Sequence, residues 1–307
     1  MNTAFVLTGG GSLGAIQVGM LQALAEHGIE PDVLIGTSVG ALNASWVATH
    51  GTAAADLQAL ADLWCGLTRR EVFPLQAPRV LRALTGRGES LVSPDSLRVL
   101  VDRCTSTSRT LEATRIPLHV IAADLLTGQT VSIDHGSMTD AVMASSAIPG
   151  IFPPVAVGGR LLVDGAVADT TGISLAHDLG VDEVYVLPTG TACALPRPPI
   201  SALGQAMQAL SLLTHHHTAS DIARLASTTS LRVLPPLCPV RTAVSDFTHA
   251  ADLITRARNA SREWIDSGNI DLPDPHRFLM THDHDVASTQ QGQQPATPGP
   301  PEGQVAT

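Results

Sequence analysis

Asp32-Val33-Leu34-Ile35-Gly36-Thr37-Ser38-Val39-Gly40-Ala41-Leu42-Asn43-Ala44 is the stretch whose reading decides the fold. Its first half is an apolar run that reads as a short buried strand, and its second half continues as a helix. Ser38 falls on the joint. A serine at the tip of a sharp strand-to-helix turn is strained, with its hydroxyl presented outward. Gly36 and Gly40 leave room for that turn where side chains would collide with neighbouring elements. The helix behind Ser38 would favour negative charge developing beside it. A Gly-x-Ser-x-Gly match is expected by chance on the order of 0.1–0.2 times in a chain of this composition. Its context therefore has to carry the weight.

That context begins upstream. Ala4-Phe5-Val6-Leu7 is an apolar strand running directly into Thr8-Gly9-Gly10-Gly11-Ser12-Leu13-Gly14. A helix follows, with Ile16, Met20 and Leu24 on one face and Gly28 as its C′ residue. Strand, loop, helix and strand in this order point to a parallel sheet covered by helices. The glycine loop has three readings. As a dinucleotide fingerprint it needs an acidic residue at the end of the second strand, where Gly36-Thr37-Ser38 stands instead. A purely structural turn is the second. The third is an oxyanion hole, in which bare backbone N–H groups converge on one oxygen. Adjacent parallel strands would bring the loop beside Ser38, which favours the third. A Walker A loop is excluded because no Gly-Lys-Ser/Thr follows.

Composition narrows the function classes. The 307 residues are 44% hydrophobic but only 3% aromatic, so the core is built from Ala, Leu, Val and Ile. A net charge of −10 and few aromatic rings argue against nucleic acid as a partner. Cys65, Cys104, Cys193 and Cys238 form no Cys-x-x-Cys pair and read as reduced, buried cysteines. The first residues lack a basic signal-peptide pattern, and no apolar run is long enough to span a bilayer. The expected location is the cytoplasm, with peripheral contact at a membrane surface left open.

Further along, residues 51–115 read as mostly helical, including Ala53–Leu67 and a helix with Ser93 as N-cap and Pro94 at N1. Arg69, Arg70, Arg79, Arg82 and Arg87 surround Val72-Phe73-Pro74-Leu75, giving a cationic, apolar stretch. It reads as a solvated face or as a lipid-facing cap. Pro117–Asp124 is a strand that turns at Thr127-Gly128 into a hairpin partner, Gln129–Ile133. Met138–Ser146 is a short helix, Val155–Val157 and Arg160–Val163 are strands, and the second delivers Asp164-Gly165-Ala166. Val184–Leu187 and Ser230–Leu234 are strands; Ala202–Leu225 and Phe247–Ser267 are helices. Residues 276–307, rich in Gln, Pro and Gly towards the end, read as a disordered tail.

Ser38 needs a proton acceptor. His215-His216-His217 diverge by about 100° each on a helix, so they share no face and make neither a metal site nor a triad member. His177 and His249 lie in no motif. Asp164 ends an apolar strand, where ligand sites form in α/β sheets, and a desolvated carboxylate can take the proton directly.

Gly9-Gly10-Gly11-Ser12-Leu13-Gly14-Ala15, Gly36–Ala44, Ala144–Pro154 and Asp164-Gly165-Ala166 together resemble the patatin-like phospholipase family, over about residues 4–190. The resemblance implies a three-layer α/β fold with a parallel-rich central sheet flanked by helices. It implies a single domain over 1–275, with a motif-bearing core at about 5–178 and a helical C-terminal part at 200–270. It also implies a catalytic dyad without histidine: Ser38 as nucleophile, Asp164 as proton acceptor, and N–H groups of Gly10, Gly11 and Ser12 as oxyanion hole. Gly9, Gly14, Gly36, Gly40 and Gly165 are the motif glycines. The implied activity is hydrolysis of fatty acyl esters or phospholipids through an acyl-Ser38 intermediate, with no metal and no cofactor. Many family members carry Arg or Lys where Leu13 stands here, which bears on preference for a charged head group but not on the backbone oxyanion hole. Two other functions compete: a catalytically silent lipid-binding protein and a nucleotide-binding protein using the glycine loop.

Overall fold

The computed structural model describes residues 2–105, 109–169, 171–271 and 279. In chain order its elements are β1 (Thr3–Leu7), α1 (Gly14–Glu26), β2 (Val33–Thr37), α2 (Val39–His50), α3 (Ala54–Gly66), α4 (Arg69–Val72), α5 (Ala77–Leu84) and α6 (Asp95–Cys104). There follow β3 (Leu118–Asp124), β4 (Thr130–Ile133), α7 (Met138–Ser145), β5 (Val155–Val157), β6 (Arg160–Asp164), α8 (Ile173–Asp178), β7 (Glu183–Leu187), α9 (Ala202–Leu225), β8 (Leu231–Val233) and α10 (Ala250–Asp266). The expected tail, 276–307, lies outside the described residues except for Leu279.

Five strands run parallel: β3 pairs with β2, β2 with β1, β1 with β7, and β7 with β8. β4, β5 and β6 enter as antiparallel additions around β3. Alternation along β1 divides the core. Phe5 and Leu7 face a large cluster with side chains of α1, α2, α3, α7 and α10. Ala4 and Val6 face a smaller one with Ile173 and Ala176 of α8 and Ile222 and Leu225 of α9. Both sheet faces are covered, which is why these strands read as continuous apolar runs rather than alternating ones. The fold is three layers, helix–sheet–helix.

The register of β3 places the site. β4 pairs with residues 120–123 of β3, overlapping the partners of β2 (118–121) and of β6 (122–124). A strand has two edges, so β2 and β6 must share the edge opposite β4, lying end to end along it. The C-terminal ends of β2 and β6 therefore meet, and with them Ser38 and Asp164.

A buried polar network joins the first two helices. Asn43 Nδ2 donates to the Gly14 carbonyl (3.0 Å) and to Gln17 Oε1 (2.9 Å), while Asn43 Oδ1 accepts from Trp64 Nε1 (2.9 Å). Gln17 Nε2 donates onward to the carbonyls of Thr8 (2.8 Å) and Leu187 (3.0 Å). The network ties the glycine loop to α2 and β7. Asn43→Ala should cost about 2–4 kcal/mol in a denaturant melt, because it strands several buried partners at once.

Two helix starts differ from expectation. The Ser93 region begins its helix one residue later, with Pro94 as N-cap and Asp95 as first helical residue. Ser93 Oγ donates to Asp95 Oδ2 (2.6 Å) and accepts from Asp95 N (3.4 Å), so it still holds the first turn from one residue upstream of the N-cap. The last helix starts at Ala250, not Phe247, because Asp246 folds the approach into a turn that accepts from Thr248 N (3.0 Å). The cysteines also differ: none is in a disulfide, but only Cys104 is buried, while Cys65, Cys193 and Cys238 are exposed.

Candidate active site

Ser38 is the N-cap of α2, at φ 56° and ψ −124°, and among the described residues it is the one non-glycine with positive φ. Such a conformation persists only where the surroundings over-determine it. Here they do. A Cβ on Gly40 would strike the carbonyl of Leu7 at the end of β1, so only glycine lets the turn pass beneath that strand. From the other side, Ser38 N donates to Ser145 Oγ (2.8 Å), which donates to the Ile121 carbonyl (2.6 Å). Ser145→Ala should lower stability by about 1–3 kcal/mol in thermal melts, since it leaves the Ser38 N–H and the Ile121 carbonyl buried without a partner.

Ser38 Oγ donates to Asp164 Oδ2 at 2.6 Å. The second carboxylate oxygen, Oδ1, accepts from Ala166 N (2.9 Å) in the single 3-10 turn Gly165–Val167. Asp164 is only 2% exposed. Burial pushes its carboxyl up to about 6, against the opposing pull of the hydrogen bonds from Ser38 and Ala166. A carboxylate poised there is ionised at neutral pH yet basic enough to accept a proton.

The glycine loop lies beside the hydroxyl. Gly9, Gly10 and Gly11 line the same cavity as Ser38 and Asp164. Gly11, at φ +59°, sits in the left-handed region that favours glycine. Two segments brace the loop. Thr189, just beyond β7, donates through Oγ1 to the Gly9 carbonyl (2.6 Å) and through N to Thr8 Oγ1 (3.2 Å). From the segment before α10, the Val244 carbonyl accepts from Ser12 N (2.8 Å) and the Ala243 carbonyl from Ser12 Oγ (3.0 Å). Ser12, expected among the oxyanion donors, is thus corrected: its N–H is committed to Val244, and Ser12 is a brace of the loop. Among the described residues, the N–H groups of Gly10 and Gly11 donate to no protein acceptor.

The remaining motif glycines have packing roles. Gly36 lies in β2, where a Cβ would fall 2.6 Å from Ala41 Cα. Gly14 opens α1 and gives its carbonyl to Asn43, and Gly165 backs onto the Ile121 carbonyl. Leu13 is fully buried.

Two apolar-lined cavities converge on Ser38, sharing Gly11, Ser38 and Ile148. One runs beneath α9 past Met207, Leu210 and Thr214. The other runs towards Leu42, Trp64, Phe73, Phe152 and Phe247. Among the described residues no histidine lines either, and no group of His, Cys, Asp or Glu is placed to hold a metal. His215 instead meets the Leu279 carbonyl at 3.0 Å. Thr189, Ser145, Ala243 and Val244 went unnoticed in the sequence. Only two carried a signal: Thr189 follows a parallel strand at its ligand-binding end, and Ser145 lies within the quoted Ala144–Pro154 stretch.

Several known proteins are similar to this chain. An uncharacterized NTE family protein of Mycobacterium tuberculosis is 34% identical over 166 residues, covering 54% of this chain and 43% of that protein. A second from the same organism is 28% identical over 257 residues, covering 76% of this chain and 40% of its own. Patatin-like phospholipase domain-containing protein 7 of Mus musculus is 29% identical over 194 residues, 61% of this chain and 14% of that one. This chain thus spans about two fifths of the mycobacterial proteins and a smaller part of the mouse one. Among solved structures, VipD from Legionella pneumophila aligns over 85% of this chain and 67% of that chain, with 14% identity and a TM-score of 0.40. The patatin-like phospholipase model matches residues 5–177, which hold the glycine loop, Ser38 and Asp164. The chain belongs to the patatin-like phospholipase family.

Proposed function

We propose that the protein is a lipid acyl hydrolase that cleaves fatty acyl esters through an acyl-Ser38 intermediate. The observation that carries this reading is the 2.6 Å bond from Ser38 Oγ to a buried carboxylate, beside two uncommitted backbone N–H groups and between two apolar cavities. Ser38 Oγ attacks the ester carbonyl carbon and its proton passes to Asp164 Oδ2. The oxygen that becomes negative is received by Gly10 and Gly11 N–H, with the N-terminus of α2 adding its partial positive charge. Collapse breaks the ester C–O bond, and the leaving alkoxide takes the proton from Asp164. Water then repeats the sequence on the acyl-serine, with Asp164 as base, releasing the fatty acid and restoring Ser38. The apolar cavities fit an alkyl chain better than a polar acyl group.

A nucleotide at the glycine loop is the weaker reading. Asp164 faces the same cavity, and an ionised carboxylate there would repel a polyphosphate. The test is exposure of the full chain to a fluorophosphonate probe, followed by mass mapping and a p-nitrophenyl acyl ester assay. Labelling at Ser38 with ester turnover is the expected result. A chain that binds lipid but resists the probe would be the silent lipid binder, and the hydrolase reading would fall. No helix among the described residues is long and apolar enough to cross a membrane.

A further inference from the structure

We infer that the arm spanning residues 76–91 docks the protein onto an anionic phospholipid surface and sets the mouth of the Ser38 cavity against it. The inference deepens the lipid-hydrolase reading and rests on it only for the purpose of docking.

The arm is defined by its base. Leu75 and Val92 form an isolated antiparallel bridge, and Ser90 Oγ donates to the Val92 carbonyl (3.0 Å). Arg79 Nη1 donates across the arm to Ser90 Oγ (3.1 Å). The base stands on the rim of the aromatic-lined cavity. Val72 and Phe73, just before it, line that cavity. Leu91 and Val92 N–H donate to the carbonyls of Gly150 (3.0 Å) and Ile151 (2.9 Å), in the loop that supplies Ile148 and Phe152 to the same lining.

Beyond the base, α5 buries none of its residues. A helix of a folded domain ordinarily hides an apolar stripe. This one turns its leucines outward: Leu84 is 76% exposed, Leu81 64%, and Leu75 at the base 52%. Between them stand cations. Residues 69–91, which include the arm, carry five arginines and two acids, Glu71 and Glu89, a balance of +3 within a chain of −10. Among the described residues none of the five is in an ion pair, as is also true of several arginines elsewhere, so it is their clustering beside outward leucines that sets them apart. Arg69 faces Asp246, and Glu71 is held by Thr68 in a capping box. That leaves Arg70, Arg82 and Arg87 as the outward charges. Outward leucines interleaved with unpaired guanidinium groups match a bilayer interface, where acyl chains and anionic head groups lie within one side-chain length of each other. Nucleic acid would meet the charges but leave the leucines in water.

The test uses the full chain carrying Ser38→Ala, so that nothing is consumed, mixed with phosphatidylcholine vesicles made with or without phosphatidylglycerol. Cosedimentation should favour the anionic vesicles by at least about tenfold and weaken with salt. Adding Arg70→Gln, Arg82→Gln and Arg87→Gln should lower the partition on the order of a hundredfold, about fivefold per charge. Leu81→Ser with Leu84→Ser should lower it about tenfold or more. With Ser38 intact, the same arginine triple variant should keep its rate on a short soluble ester, which also reports that it is folded, and lose rate on vesicle-embedded ester. Equal partition to both vesicle types, or undiminished binding by the triple variant, would overturn the inference. If the probe fails to label Ser38 while vesicle binding holds, the hydrolase reading falls and the docking surface stands.

Discussion

Replacement of Ser38 by alanine should abolish ester hydrolysis, with kcat falling on the order of 10⁴- to 10⁶-fold, the scale seen when a nucleophile is removed from an interdependent catalytic unit. The cavity, Gly10 and Gly11 would remain, so substrate binding should change little and KM should move by less than a few fold. The bond to Ser145 is made by the backbone N–H of residue 38 and survives the substitution, so the melting temperature should stay close to that of the parent. This separation distinguishes loss of chemistry from loss of fold. Fluorophosphonate labelling mapped by mass is the direct check: one adduct on the parent, at Ser38, and none on the variant. Full esterase activity in Ser38→Ala would remove the serine from the mechanism.

Asp164→Asn should be nearly as damaging, with a loss of roughly 10⁴-fold, because an amide cannot take the serine proton. The carboxyl also sets a pH dependence. Its protonated form cannot serve as base, so kcat/KM should rise with pH, reach half its plateau near 6, and stay level above that through neutrality. Stability should run the other way. A carboxyl held near 6 in the fold and at 3.8 in the open chain binds its proton more tightly when folded. Its contribution is therefore present below about pH 4 and lost as pH rises towards 6, a difference of about 3 kcal/mol at neutral pH. Asp164→Asn carries no such burden and should melt at a higher temperature than the parent at pH 7 while failing to turn over. An inactive variant that is also less stable at pH 7 would show that the buried charge is better compensated than its surroundings suggest.

Much of this architecture was legible because it is local. A β-α-β order and apolar runs such as Ala4–Leu7 announce a parallel sheet, and Gly-x-Ser-x-Gly at a strand end announces a strained serine at the turn, but the hydroxyl expected to face outward is instead buried against Asp164. Gly28, which sits at φ +67° just past α1, was readable as a helix terminator. What stayed hidden depends on chain separation. The bond from Ser12 N to Val244 joins residues that nothing in their neighbourhoods pairs, and it commits a donor that the family resemblance had implied for the oxyanion hole. Thr189, which holds the Gly9 carbonyl from 180 positions away, was hidden for the same reason. The surface position of the arginine-rich stretch was readable, but which way the leucines of α5 point was not. A short run such as Ala77-Pro78-Arg79-Val80-Leu81-Arg82-Ala83-Leu84 has the pattern of a helix that buries its leucines, and only packing decides that it does not.

The placement of β2 and β6 along one edge of β3 makes a third strand the ruler of the chemistry. β3 contributes neither hydroxyl nor carboxylate, yet the number of its residues between Ile121, which pairs with Thr37, and Ala122, which pairs with Asp164, sets how far apart the two groups lie. Inserting a single residue at that joint would move them apart by about 3.3 Å and turn the carboxylate to the opposite side of the sheet. Point substitutions along β3 are far more tolerable than any change in its length, so lineages of this fold should accumulate indels in their loops while this strand keeps its residue count.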